Sequence, residues 1–171
     1  MKAEIVLIEK LNNVAYYTVE VIDSNGTTRK SEFSDFKARM KLSSDPKDSR
    51  QLGVIEAILN KMGSKYGATE NNFRREDSFE AIPSHEDKFW DSTSDDDQGL
   101  RLYCIRVNDE IVILLNGGRK TNQRVLDCPN CRDHFLFARE VAMQFYDALR
   151  SGEIEVQGKD LLIDENYFLN V

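Results

Sequence analysis

Cys128-Pro129-Asn130-Cys131, with His134 three residues further on, is the sharpest short string of chemically capable side chains in the sequence. A zinc site needs four ligands, and no second Cys-x-x-Cys or His pair accompanies this one; Cys104 or His85 would have to complete a set of Cys128, Cys131 and His134. A redox reading needs the first cysteine at a helix N-terminus, where its pKa falls, and a following helix is expected here. The βαβ context of such redox motifs is missing. The third reading is a cysteine-containing helix start with Pro129 near the first turn. A second group of residues lies just upstream. Arg101, Tyr103 and Arg106 sit in one β-rich run, and Arg119, Lys120 and Arg124 follow the next, a supply of cationic and phenolic donors suited to an anion. Gly-x-Ser-x-Gly, phosphate-cradling glycine loops and His-Glu-x-x-His are all absent, which argues against hydrolase triads, P-loop nucleotide binding and zincin chemistry. No cofactor is expected.

These residues sit in a chain of 171 residues with 40% hydrophobic and 31% charged side chains, an ordinary globular balance for one domain over 1–171. The longest apolar run, Ile111-Val112-Ile113-Leu114-Leu115, is far too short to span a bilayer, and Met1-Lys2-Ala3-Glu4 lacks a signal-peptide pattern. A cytoplasmic location without membrane association is therefore expected. Three cysteines do not suggest a secreted disulfide framework. The net charge of −7 opposes nucleic-acid binding as a whole-chain property, yet residues 99–126 hold five Lys and Arg against two Asp and Glu. The acidic excess lies in 71–98 and 127–171.

The elements that must position these groups follow from periodicity. Residues 4–8 and 16–22, rich in β-branched and aromatic side chains, read as a hairpin around Asn12-Asn13, and Asp23-Ser24-Asn25-Gly26 ends it. Phe33, Phe36 and Met40 mark a first helix from Ser31, stopped by Ser43-Ser44-Asp45-Pro46. Leu52, Ile55, Ile58, Leu59 and Met62 mark a second, capped by Asp48 or Ser49. Residues 73–82 read as a short strand, and 84–99 as an exposed acidic excursion in which Phe89 and Trp90 either tuck back onto the core or anchor a partner. Residues 100–107 and 110–116 form a hairpin turning at Asn108-Asp109, the second strand central because it is apolar without interruption. A helix capped by Asp127 or Asn130 then runs to about Arg150 with a stripe of Phe135, Ala138, Val141, Ala142, Phe145 and Leu149, before a short β-like tail over 153–171. The expected fold is α+β: a small antiparallel β-sheet with two N-terminal helices and a C-terminal helix packed on it.

The block Arg101-Leu102-Tyr103-Cys104-Ile105-Arg106-Val107, the apolar strand after it and Gly117-Gly118-Arg119-Lys120-Thr121 together resemble the RelE/ParE superfamily of bacterial type II toxin–antitoxin systems, most closely its HigB-like branch. The resemblance covers roughly residues 30–150 and includes the order of elements. It implies an mRNA endoribonuclease, acting on translated mRNA through attack by the RNA's own 2′-hydroxyl, without a metal. It further implies a cognate antitoxin, often a helix-turn-helix protein, with mRNA and the ribosome as other partners. Such chemistry needs a proton acceptor, cations for the charge gathering on phosphate and a donor to the leaving oxygen. The resemblance assigns this work to Arg101, Tyr103, Arg119 and Lys120, with Arg106, Arg124 and Lys120 binding RNA. Strand alternation puts Arg101 and Tyr103 on one face and Arg106 on the other. Two alternatives stand beside it: a non-catalytic protein-binding module on the same fold, and a thiol or zinc site at Cys128 and Cys131.

Overall fold

The computed structural model describes residues 1–87, 89 and 96–171; Trp90 and part of the acidic excursion lie outside them. A hairpin of β1 (Lys2–Lys10) and β2 (Ala15–Ile22) opens the chain, as its β-branched runs require. Next comes α1 (Glu32–Leu42), where the Ser31 side chain caps the Ser34 amide at 3.3 Å. The helix α2 (Pro46–Lys61) starts earlier than its periodicity suggests. Ser43-Ser44-Asp45-Pro46 ends one helix and begins the next, because Asp45 caps the Lys47 amide at 2.9 Å and Pro46 occupies the first turn. Asp48 and Ser49, either of them expected as the cap, instead lie inside the helix, and Asp48 is buried.

Residues 73–82 are a small hairpin of β3 (Arg74–Arg75) and β4 (Glu80–Ile82). Then β5 (Leu100–Arg106) and β6 (Ile111–Arg119) form the expected hairpin. The second strand runs through Gly117 and Gly118 to Arg119, three residues beyond its expected end at Asn116. The last helix, α3 (Arg132–Ser151), begins after Cys131, which makes no side-chain capping bond, and closes on Gly152 at φ 85°, a left-handed position suited to glycine. The tail holds a hairpin of β7 (Ile154–Gln157) and β8 (Asp160–Ile163), then β9 (Leu169–Asn170).

The main sheet has seven strands in the order β3-β4-β5-β6-β2-β1-β9, antiparallel except for β2 against β6, where Ala15 to Thr18 pair in parallel with Ile111 to Leu114. Helices cover both faces, so the N-terminal pair and α3 are not on one side. Phe33, Phe36, Met40, Leu52, Ile55 and Leu59 join Leu100, Leu102, Cys104, Val112 and Leu114 in one core. Phe135, Ala138, Val141, Ala142 and Phe145 of α3 join Tyr103, Ile105, Ile111, Ile113 and Leu115 in the other. A strand buried on both faces must be apolar at every position, which is why Ile111 to Leu115 carries no alternation. Each fully buried Phe or Ile of these cores contributes about 1.5–3 kcal/mol. Among the described residues no helix is long and apolar enough to cross a membrane.

Candidate functional site

The candidate cations gather where β5 begins and β6 ends. Leu100 pairs with Arg119, Arg101 with Gly118 and Leu102 with Gly117, and a bulge interrupts the register between Leu102 and Cys104. The two glycines are packing requirements. A Cβ on Gly117 would stand 1.8 Å from the Arg101 carbonyl oxygen, and one on Gly118 would stand 2.3 Å from that of Asn130.

From this shared end the side chains diverge. Leu100, Leu102 and Cys104 enter the core under α1 and α2, so Arg101 and Tyr103 between them face α3, as alternation implies. Arg119 goes the other way, onto α2: its Nε donates to Asp48 Oδ1 at 2.8 Å and its Nη1 to Asp97 Oδ1 at 2.7 Å. Lys47 also reaches Asp97 at 3.2 Å. Burial works to raise the Asp97 pKa, but these bonds hold it below the usual carboxylate range. Tyr103 is 1% exposed, packed edge-on against Phe79 and Phe135 at centroid distances of 5.5 and 5.8 Å. Burial pushes its phenol pKa well up, and the hydroxyl faces the Cys131 sulfur. Lys120 is half-exposed, its amide donating to the Gly99 carbonyl at 2.9 Å. Arg106 lies at the opposite end of the hairpin, where its Nε donates to the Ala68 carbonyl at 2.6 Å and its guanidinium pairs with Asp109. Arg124 is exposed, 3.6 Å from Asp127. The five cations and one phenol expected to act together are therefore split between two faces and two ends of one hairpin.

Arg101 differs from the others. It is 3% exposed, and Nη1 donates to the carbonyls of Gln98 at 2.7 Å and Leu100 at 3.1 Å, while its buried Nε has no partner. Burial, then the neighbouring Arg74, pull its pKa down to about 10. Arg74 is bound in the same manner, Nε to the Pro83 carbonyl at 2.7 Å and Nη2 to the Ser84 carbonyl at 3.1 Å. Both guanidinium groups thus make their side-chain hydrogen bonds to neutral carbonyls, with Glu76 acting on each only through its field. They line a cavity of about 250 Å³ together with His85, Asp87, Phe89 and Gln98. Phe89 tucks back, 6% exposed. Nothing in the sequence singled out Arg74. Its partnership with Arg101 depends on the β3-β4-β5 pairing, and only the Arg74-Arg75 doublet hinted at it.

Cys128 and Cys131 are free thiols, both fully buried, brought together by a turn in which the Cys131 amide donates to the Cys128 carbonyl at 3.2 Å. The Cys128 thiol donates to the Arg119 carbonyl at 3.5 Å and accepts from the Thr121 amide at 3.5 Å. Burial raises the pKa of both thiols; at Cys128 the bonds from Thr121 outweigh it and the net shift is down. His134 stands across a second cavity, beside Arg39 and near Asp35. Among the described residues no three His, Cys, Asp or Glu side chains are grouped to hold a metal ion. A pair of arginines, Arg101 buried and Arg74 half-buried, over a cavity is suited to binding an anion and to stabilising charge on it. Compared with protein-family models, with curated proteins and with solved structures, the chain matches none.

Proposed function

We propose that this chain is a RelE-like toxin, an mRNA endoribonuclease acting on translated mRNA and held in check by a cognate antitoxin. The observation that supports this reading is the register at the end of the β5–β6 hairpin. Leu100 lies across from Arg119 and Arg101 across from Gly118, so Arg101, Arg119 and Lys120 leave the sheet at one end, with Arg74 beside Arg101. In the reaction the RNA 2′-oxygen bonds to phosphorus, the bond to the 5′-oxygen breaks, and a proton moves from the first oxygen to the second. Arg101, with Arg74 beside it, serves as counter-charge to the phosphorane, and Lys120, half-exposed, as proton donor. His85, exposed at the cavity, is better placed for proton removal than the enclosed Tyr103. A helix-turn-helix antitoxin, ribosomal delivery of the substrate and a cytoplasmic site of action belong to the same proposal.

Induced expression of the chain alone tests it: growth should stop and mRNA should be cut, with Arg101→Gln and Lys120→Ala relieving both. Normal growth with intact mRNA overturns it. One observation favours a second reading, a non-catalytic binding module. Arg119 is neutralised by Asp48 and Asp97 within the fold, as a structural cation would be. A stable complex with the product of a neighbouring gene, with no RNA cleavage, would select that reading.

A further inference from the structure

A guanidinium withdrawn from water needs charge compensation or a full set of hydrogen bonds, and among the described residues Arg101 has neither. Its residue is 3% exposed, Nε is unpartnered, and the charge that acts on it most strongly is that of a second cation, Arg74. Of the acids at this cavity, Asp97 is engaged by Arg119 and Lys47, and exposed Asp87 accepts from the Ser84 hydroxyl at 3.2 Å. Among the described residues the positive charge inside therefore stands without an ion pair, and Asp87 and Asp97 line the cavity.

We propose that the Arg74–Arg101 cavity binds a terminal phosphate group, the monoester dianion of a nucleotide or of an RNA end. Arginine Nε–H and Nη–H groups match phosphate oxygens in spacing and charge, and an oxygen at the Arg101 Nε would fill the one bond it lacks. Depth selects the terminal group. A terminal phosphate enters alone, whereas an internal phosphodiester reaches a side chain buried to this degree only by drawing a sugar in on each side. Asp87 and Asp97 disfavour a strand lying across the surface and leave a projecting dianion as the group that gains most. The proposal rests on the ribonuclease reading only for RNA as the carrier; the phosphate binding itself is read without cleavage.

Calorimetry and thermal shift at constant ionic strength test it on the full chain, with inorganic phosphate, 5′-AMP, adenosine and a short RNA bearing either a 5′-phosphate or a 5′-hydroxyl. Phosphate and 5′-AMP should bind and raise the melting temperature, and adenosine should not. Arg74→Gln, at a half-buried position that spares the fold, should weaken 5′-AMP binding about tenfold or more, the worth of one charge-assisted pair. Arg101→Lys, which keeps a charge but loses the fork, should do the same. Preference for the 5′-phosphate RNA over its 5′-hydroxyl twin by about tenfold identifies RNA as the carrier; binding of 5′-AMP with no such preference identifies a free nucleotide. Failure of phosphate and 5′-AMP to bind, or binding untouched by Arg74→Gln, overturns the proposal. Growth arrest without phosphate binding would sink this inference and keep the ribonuclease; phosphate binding without growth arrest would do the reverse.

Discussion

Asp48 on α2 accepts two hydrogen bonds from Arg119 at the end of β6, from Nε at 2.8 Å and from Nη2 at 2.5 Å, and so ties the helical layer to the sheet. The pair is almost out of solvent, 12% and 11% exposed at the side chains, and the other Asp48 oxygen accepts from the Ser43 hydroxyl at 2.6 Å. Deleting one partner leaves the other charged and enclosed. Asp48→Ala should lower unfolding free energy by about 3 kcal/mol in urea titrations. The double variant Asp48→Leu with Arg119→Met should be markedly less damaged than the sum of the singles, since it leaves no orphaned charge. Additive losses would show that the two groups do not act as a pair.

Gly117 and Gly118 offer a second measurement. Neither has a left-handed backbone, so the demand for glycine is spatial. Gly117→Ala places a methyl group 1.8 Å from the backbone oxygen of Arg101, and relief requires β5 and β6 to part. A loss of about 3 kcal/mol or more in thermal unfolding is expected, at the upper end of overpacking costs. Gly53→Ala, whose Cβ meets nothing within 4 Å on the exposed side of α2, should instead stabilise by about 1 kcal/mol.

Tyr103→Phe separates packing from chemistry. The ring keeps its edge contacts with Phe79 and Phe135 and loses only the hydroxyl facing Cys131. Stability should change by no more than about 1 kcal/mol. If Tyr103 takes part in RNA cleavage as the family resemblance implies, growth arrest should vanish while the protein stays folded; arrest at full strength would leave Tyr103 a core residue.

How much of this was legible in the sequence depends on how local each signal was. The β5–β6 hairpin declared itself through an apolar run and an Asn-Asp turn, and α3 through the spacing from Phe135 to Phe145, because burial on one stripe leaves a period. The parallel pairing of β2 with β6 leaves none: Ala15 and Ile111 are brought together only after two helices and two hairpins. The two-residue strands β3 and β9 are too short to show a pattern, and Arg74 was hidden with the first of them. Alternation placed Arg101 and Tyr103 together as observed. It failed for Arg119, which a count from Ile113 puts on the α3 face, because the bulge near Leu102 shifts β6 and sends Arg119 to Asp48 instead. Charge counting found the basic segment 99–126 but not that Asp48 and Asp97 from outside it neutralise Arg119.

His134 supplies the pH dependence. It is half-buried on the first turn of α3, and burial, then the nearby Arg39, hold its pKa below the ordinary 6.5, while Asp35 and Asp133 oppose that shift only in part. A group with a depressed folded pKa adds stability that is complete above its unfolded value and disappears as pH falls through the folded one. Unfolding free energy should therefore hold steady above about pH 6.5 and decline as the solution is taken below it, as the unfolded chain binds the proton first. Glu32 works in the opposite sense at lower pH: burial raises its pKa above the ordinary 4.5, so its contribution fades as pH rises through that higher value. The clean window for His134 is the decline that begins just under pH 6.5. His134→Gln keeps the size and polarity without the charge, and urea titrations should show that decline flattened while stability at pH 8 stays within about 1 kcal/mol of the parent. An unchanged slope in the variant would assign the acid sensitivity to the carboxylates.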